Sequence, residues 1–507
     1  MSSLPLILAG LALLAGTFLL DALVRPRRVD GLRPWRSGRG SALLLLMSLM
    51  VCGLFLALCG NVLVSAVLAL ALQALLALAS NAKRAMLGEP LLFSDHALIG
   101  AIFRHPQFYL SALRGWQKLA IALVAGALVV ALAWLFVPDP AAHVWGAGLA
   151  LASWAALVMA LRSAPYRALA QEPDAAADVA CHGLVPTLLL HWLRWRASAD
   201  PVPCPAPARL PAHADPDHPA PDLAAPELIV AVQCESFADP AELFGDPAMS
   251  LPGLAAARAQ AWQWGDLQVS GFGAYTMRTE YAVLFGREEA ALGFRRFDPF
   301  LTALRETSYA LPHRLGTHSW RSLFVHPHDM RFYGRDRILP AGGFAELVGE
   351  ERFAPPGPGE GRYVHDAAIT RELLEQARRA DGPTLLYAVT IENHGPWSSA
   401  KGNRAEHLVE GYRELVGKGD AMLSELTAGL AALERPAMLV FFGDHRPSIP
   451  GASAPGGPRH TPYVVLRFDA AGQVVPGANR RRDLTPAALH HAILEGALGR
   501  ERDGART

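Results

Sequence analysis

Cysteine is scarce in this chain, and its placing gives no disulfide framework. Of five cysteines, Cys52 and Cys59 lie within one apolar run and Cys234 closes another. Only Cys181 and Cys204 are candidates to pair, and only in an oxidising compartment. An excess of charge of either sign is also missing. Lys plus Arg and Asp plus Glu both number 46, so the balance gives no reason to expect a nucleic-acid partner. The first apolar run lacks a basic leader and a small-residue cleavage site, which argues against a signal peptide. No internal repeat is visible.

What the chain does have is long apolar runs, confined to one end. Overall it is 51% hydrophobic and 18% charged, but the average hides two unlike halves. Stretches near residues 4–24, 41–59, 62–80, 119–137 and 143–161 are each long enough to cross a bilayer as a helix, which takes about 20 residues. Residues 1–165 therefore read as a transmembrane domain with about five helices. Arg25, Arg27, Arg28, Arg33, Arg36 and Arg39 follow the first run, and Lys83, Arg84, Arg104, Arg114 and Lys118 follow the third. By charge alone both loops are cytoplasmic. Five crossings would leave the rest of the chain there too, in line with Arg162 and Arg167. A further apolar segment, residues 183–193, is too short for an ordinary span. It reads as an interfacial or re-entrant piece, or as a thin sixth crossing, so charge leaves the orientation open. Residues 166–226 form a juxtamembrane segment and a Pro/Ala-rich tether, in which His213 and His218 are solvated linker residues.

Residues 227–507 read as a separate α/β domain. Leu228–Val232, Leu385–Val389 and Met438–Phe442 are short, continuous apolar runs of the kind buried in a parallel sheet. Helical segments such as Ile369–Arg379 and Tyr412–Leu433 alternate with them. Each run leads into polar residues: Glu235-Ser236, Glu392-Asn393-His394 and Asp444-His445. Because ligands of open α/β sheets gather beyond the carboxyl ends of the strands, the three clusters point to one site.

Between the first two clusters lies Ser270-Gly271-Phe272-Gly273-Ala274-Tyr275-Thr276, followed by a helical stretch. Thr276 then sits near a helix N-terminus, either as a reactive hydroxyl favoured by the dipole or as a simple cap. Taken singly, Glu235 reads as a capping carboxylate, Asp444 as a turn residue and His445 as a core histidine. Together with Thr276 they make a mixed oxygen and nitrogen set suited to Mn²⁺ or Zn²⁺. A cation there would activate the threonine hydroxyl as a nucleophile.

The ordered series Glu235-Ser236-Phe237, Gly271-x-Gly273-x-x-Thr276-x-x-x-Glu280, Phe332-Tyr333-Gly334-Arg335-Asp336, Asn393-His394-Gly395-Pro396 and Gly443-Asp444-His445 resembles the lipoteichoic acid synthase family. These are membrane-bound phosphoglycerol transferases of the alkaline phosphatase and sulfatase superfamily. The resemblance implies a multi-span helical membrane domain followed by a sulfatase-like α/β domain with a mostly parallel central sheet. It implies one divalent metal ion, Mn²⁺ first with Zn²⁺ or Mg²⁺ as alternatives, on Glu235, Thr276, Asp444 and His445, with Thr276 also the nucleophile. Arg335 would grip the head group; its plainer reading is a surface salt bridge with Asp336. His394 would contact substrate and protonate the leaving oxygen; otherwise it belongs to a turn. Tyr333 stands where many relatives carry tryptophan, so packing of the head group would differ. Asp329, in His326-Pro327-His328-Asp329, is either a contact for glycerol hydroxyls or part of a capped surface loop.

The implied activity moves a glycerophosphoryl group from phosphatidylglycerol, through phosphothreonine, to an envelope glycan or glycolipid. The implied place is the inner (plasma) membrane, with the catalytic domain facing the periplasm or the outside. Within enzymes the rivals are phosphoethanolamine transfer and phosphodiester or sulfate-ester hydrolysis. Thr276-Met277-Arg278 departs from the Cys/Ser-x-Pro-x-Arg setting of sulfatases, which argues against sulfate. From another class, the rival is a non-catalytic membrane protein that binds a lipid head group.

Overall fold

The computed structural model describes residues 3–27, 36–95, 133–204 and 225–497, apart from 358, 398–401, 403, 476 and 478, and isolated positions between 119 and 130. The chain divides into two compact units, Met1–Ser198 and Ala199–Thr507. All five cysteines are free thiols, Cys181 and Cys204 included.

In the first unit, Gly38–Cys59, Val62–Leu87 and Pro140–Arg162 are long and apolar enough to cross a membrane. The first apolar run forms the helix Ser3–Leu23. The run near 119–137 falls largely outside the described residues, as do His213 and His218. Small residues set the approach of Gly38–Cys59 to Pro140–Arg162. A β-carbon on Gly146 would stand 2.3 Å from the Ala57 nitrogen, and one on Gly53 would stand 2.6 Å from that of Ala150. Close backbone contact of this kind holds helices together where apolar burial cannot, because lipid is as apolar as the side chains. Leu58, Leu78, Val144 and Trp145 are exposed on these helices, as lipid-facing side chains should be. The segment 183–193 lies in the helix Leu184–Ala197, whose 14 residues span only about 21 Å. That is short of the roughly 30 Å hydrocarbon core.

The second unit is built on one eight-stranded sheet in the order β4-β3-β5-β1-β6-β7-β2-β8. The strands are β1 Leu228–Cys234, β2 Gln263–Leu267, β3 Arg321–Val325, β4 Glu346–Val348, β5 Thr384–Val389, β6 Ala437–Gly443, β7 Thr461–Phe468 and β8 Arg480–Arg481. Strands β4, β3, β5, β1 and β6 run parallel, and β7 is antiparallel to β6. The three runs expected as buried strands are the three central ones.

Their continuous apolar character follows from having both faces covered. Leu228, Val230 and Val232 pack with the helices Asp366–Arg379 and Ala405–Ala431. Ile229 and Ala231 pack on the other face with Thr276–Phe285 and Pro486–Ala497. Every residue of β1, β5 and β6 is buried. Each large aliphatic side chain so placed contributes about 1.5–3 kcal/mol.

Candidate active site

Register brings the polar clusters together. Cys234 of β1 pairs with Gly443 of β6, so the next residues, Glu235 and Asp444, leave the sheet side by side. Gly443 has to be glycine, because a β-carbon there would lie 1.9 Å from the Phe237 carbonyl oxygen. On the other flank Gln233 pairs with Val389 of β5. Thr390 therefore emerges beside Cys234, and its hydroxyl oxygen accepts the Glu235 N–H at 3.0 Å.

Ser236 ties the two carboxylates. It holds a left-handed backbone, φ 50°, which costs a non-glycine residue about 1–3 kcal/mol. In that conformation its N–H donates to Asp444 Oδ1 at 2.7 Å and its hydroxyl donates to Glu235 Oε1 at 2.8 Å. The His445 N–H donates to the same Asp444 oxygen at 2.8 Å. Asp444 Oδ2 is buried with no hydrogen-bond partner. His445 Nε2 lies 3.5 Å from Glu235 Oε1 and 3.5 Å from Asp444 Oδ2.

These residues fit a divalent cation. Ligand atoms of Glu235, Asp444 and His445 all lie within 4.8 Å of one another, and all three residues are buried. Burial, then the neighbouring Asp444 charge, push the Glu235 carboxyl up to about 8. Two carboxylates and an unpartnered buried oxygen are costly on their own, and a bound cation offsets that cost. A mixed oxygen and nitrogen set suits Mn²⁺ or Zn²⁺.

Thr276 opens the helix Thr276–Phe285, and its Oγ1 lies 3.4 Å from His445 Nε2. It is not the cap of that helix: Tyr275 holds the cap position, at φ 77°. The strained turn is braced from three sides. Arg278 stacks over the Tyr275 ring at 3.8 Å, and its N–H donates to the Tyr275 carbonyl at 2.8 Å. The Thr279 hydroxyl donates to the Asp444 carbonyl at 2.7 Å, binding the helix to the end of β6. Gln233 Nε2 donates to the Thr276 carbonyl at 3.3 Å, and Tyr387 donates to Gln233 in turn at 3.0 Å.

Arg335 is not a surface residue and does not pair with Asp336. It is buried, and its Nε and Nη2 donate to the two oxygens of Glu280 at 2.9 and 2.6 Å. The Tyr333 ring lies 5.2 Å from its guanidinium carbon. The Asp329 carboxylate is clamped by Arg331, whose Nε and Nη2 each lie 2.9 Å from it. His394 Nδ1 lies 2.8 Å from the Gly395 carbonyl oxygen, and its ring packs edge-on to Tyr363 at 5.6 Å. Burial pulls the His394 pKa below its ordinary value.

Glu392, at the mouth of β5, serves a different purpose from its neighbour His394. It accepts from Lys418 Nζ and from the Asp366 N–H, both at 2.7 Å, and lies 2.7 Å from His365 Nδ1. This anchors the loop that carries His394. Ser236, Thr279, Glu280 and Thr390 also build the site, though none was singled out for a role in the sequence. Ser236 and Glu280 did fall within the ordered motif series, whereas Thr279 and Thr390 carried no signal of their own.

The sequence profile of the sulfatase family matches residues 227–494. The capsular polysaccharide biosynthesis protein RkpI of Rhizobium meliloti is 28% identical over 439 residues, covering 82% of this chain and 80% of that protein. A putative cyclic beta-1,2-glucan modification protein of the same organism is 27% identical over 236 residues, covering 44% of this chain and 36% of that one. Among solved structures, the integral membrane lipooligosaccharide phosphoethanolamine transferase A of Neisseria meningitidis aligns over 97% of this chain and 94% of its own, with a TM-score of 0.54 and 13% identity. At that identity the likeness concerns the fold.

Proposed function

The chain belongs to the sulfatase family, and from that footing we propose that it is a membrane-bound, metal-dependent phosphoglycerol transferase. The observation that carries this reading is the meeting of a threonine hydroxyl with Glu235, Asp444 and His445 at the ends of β1 and β6. A divalent cation, Mn²⁺ by preference, held by those three residues and Thr276 would supply a lowered hydroxyl pKa and neutralise phosphoryl charge.

The residues act in two half-reactions. Thr276 Oγ1, ionised with its proton released to solvent, attacks phosphorus of phosphatidylglycerol, forming the Oγ1–phosphorus bond as the bond to the diacylglycerol oxygen breaks. His394, in its protonated form, gives a proton to that leaving oxygen. An acceptor hydroxyl then takes the glycerophosphoryl group, giving its proton back to His394 and freeing Thr276. Arg335 stabilises charge on the phosphoryl oxygens through both steps.

A neutral glycerol head group suits the charges around the site. The nearby carboxylates Glu280, Asp329 and Glu392 are each already held by a cation: Arg335, Arg331 and Lys418. An ethanolamine ammonium would have to compete for them. The involvement of RkpI in capsular polysaccharide biosynthesis supports an envelope glycan or glycolipid as acceptor, which implies a catalytic unit outside the inner membrane.

The deciding experiment is the intact mass of the full chain after incubation with Mn²⁺ and either phosphatidylglycerol or phosphatidylethanolamine, beside Thr276→Ala. The expected result is a glycerophosphoryl adduct that the alanine variant lacks. A phosphoethanolamine adduct would keep the mechanism and replace the donor. Neither adduct nor diacylglycerol release, in folded and metal-loaded protein, would overturn the reading and favour a head-group-binding protein.

A further inference from the structure

The arginine expected to grip substrate has one edge of its guanidinium already engaged. Glu280 takes its Nε and Nη2 in a two-point pair, with side-chain exposures of 0% for Glu280 and 2% for Arg335. The remaining nitrogen, Nη1, is buried and makes no hydrogen bond. A guanidinium donor left unpaired inside a protein is costly, so it wants an acceptor. Glu280 also stands one helical turn after Thr276 on the same helix, which puts the two residues on one face. The pair is thus fixed to the element that presents the nucleophile.

Two consequences follow for an incoming phosphoryl group. Arg335 presents only its Nη1 side to that group, because the Nε–Nη2 edge is occupied by Glu280. Its positive charge is balanced on the spot by the Glu280 carboxylate. A phosphodiester brings one negative charge and is satisfied by such a partner. A phosphate monoester or free phosphate brings nearly two at neutral pH and needs an uncompensated cation.

We propose that Glu280 is a positioning residue that determines specificity: by holding and neutralising Arg335, it selects monoanionic diesters over dianionic phosphate. This rests on the assignment of Thr276 and Arg335 to the transfer site.

The test uses the purified full chain with Mn²⁺ and two chromogenic substrates, bis(p-nitrophenyl) phosphate and p-nitrophenyl phosphate, with inorganic phosphate as an inhibitor. In Glu280→Gln the ratio of diester to monoester kcat/KM should fall about tenfold or more, and inorganic phosphate should inhibit about tenfold more tightly. Glu280→Asp keeps the charge; it should lose kcat but hold the ratio. The double variant Glu280→Gln/Arg335→Gln restores neutrality, so its ratio should return towards that of the unmodified protein. If Glu280→Gln does not fold, Glu280→Asp carries the test, and a diester-to-monoester ratio that falls about tenfold with the charge retained would overturn the proposal. An unchanged ratio and phosphate affinity in folded Glu280→Gln, or a double variant as phosphate-tolerant as the single one, would overturn the proposal. Failure of the underlying reading would look different: the unmodified protein would hydrolyse neither ester faster than Thr276→Ala.

Discussion

The N–H of Ser236 and Oδ1 of Asp444 meet at 2.7 Å, although 208 residues separate them in the chain. The contact exists because β1 and β6 are paired to their last residues and Ser236 then turns back at a positive φ. With Oδ1 occupied by two N–H donors, Oδ2 is the oxygen left for a cation.

Ser236→Ala should therefore weaken metal binding without abolishing the fold. The alanine keeps the main-chain bond to Asp444 but removes the hydroxyl that orients Glu235. Loss of such an outer contact typically costs about 10–100-fold in metal affinity. Titration calorimetry of the full chain with Mn²⁺ would read it. An unchanged Kd would mean that Glu235 is oriented by other contacts.

His394→Gln should slow transfer in a way that depends on the leaving group. For a lipid alkoxide, which needs a proton, kcat should fall by about 10²–10⁴. For p-nitrophenolate, which leaves unprotonated, the loss should be slight. Equal losses on both substrates would assign His394 to binding and not to proton transfer.

Asp366 gives a pH dependence whose sign is fixed. Burial first, then the Glu392 charge, push its carboxyl up to about 8. The unfolded carboxyl titrates near 4, so over that interval the native state holds a proton that the unfolded chain has released. Its contribution is complete at acidic pH and is lost as pH rises through the folded value. Melting temperature should fall between pH 5 and 8 by several degrees more in the unmodified protein than in Asp366→Asn. Parallel pH profiles would show that Lys418 compensates the charge in full.

Gly443→Ala should be among the most damaging single substitutions in the catalytic unit. Its β-carbon would press on the Phe237 carbonyl oxygen at 1.9 Å, between two buried strands that cannot separate. A loss of more than about 3 kcal/mol is expected, read by chemical denaturation, together with loss of metal binding. Mild destabilisation would imply that the turn after β1 can shift.

The apolar runs determined much on their own. Continuous burial on both faces of a parallel strand demands an unbroken Val/Ile/Leu/Ala run, so β1, β5 and β6 were legible from a few residues each. The same holds for the membrane helices, whose length and composition answer to bilayer thickness alone. The strand-end positions of Glu235, Asp444 and His445, and the glycine-rich turn before Thr276, are local features and were equally readable.

Partner choice was decided only by the tertiary structure. Sequence adjacency offered Asp336 to Arg335, but packing of the helix Thr276–Phe285 against the loop after β3 delivered Glu280, 55 residues away. Glu392 looked like its neighbour His394, yet it faces Lys418 and His365. Asp329 was drawn to Arg331, two residues on, by a short turn whose shape no composition records. Apolar burial is set by residue type, and so is written in the chain. A buried ion pair depends on which side chains meet at hydrogen-bond distance, and only the assembled sheet and its helices determine that.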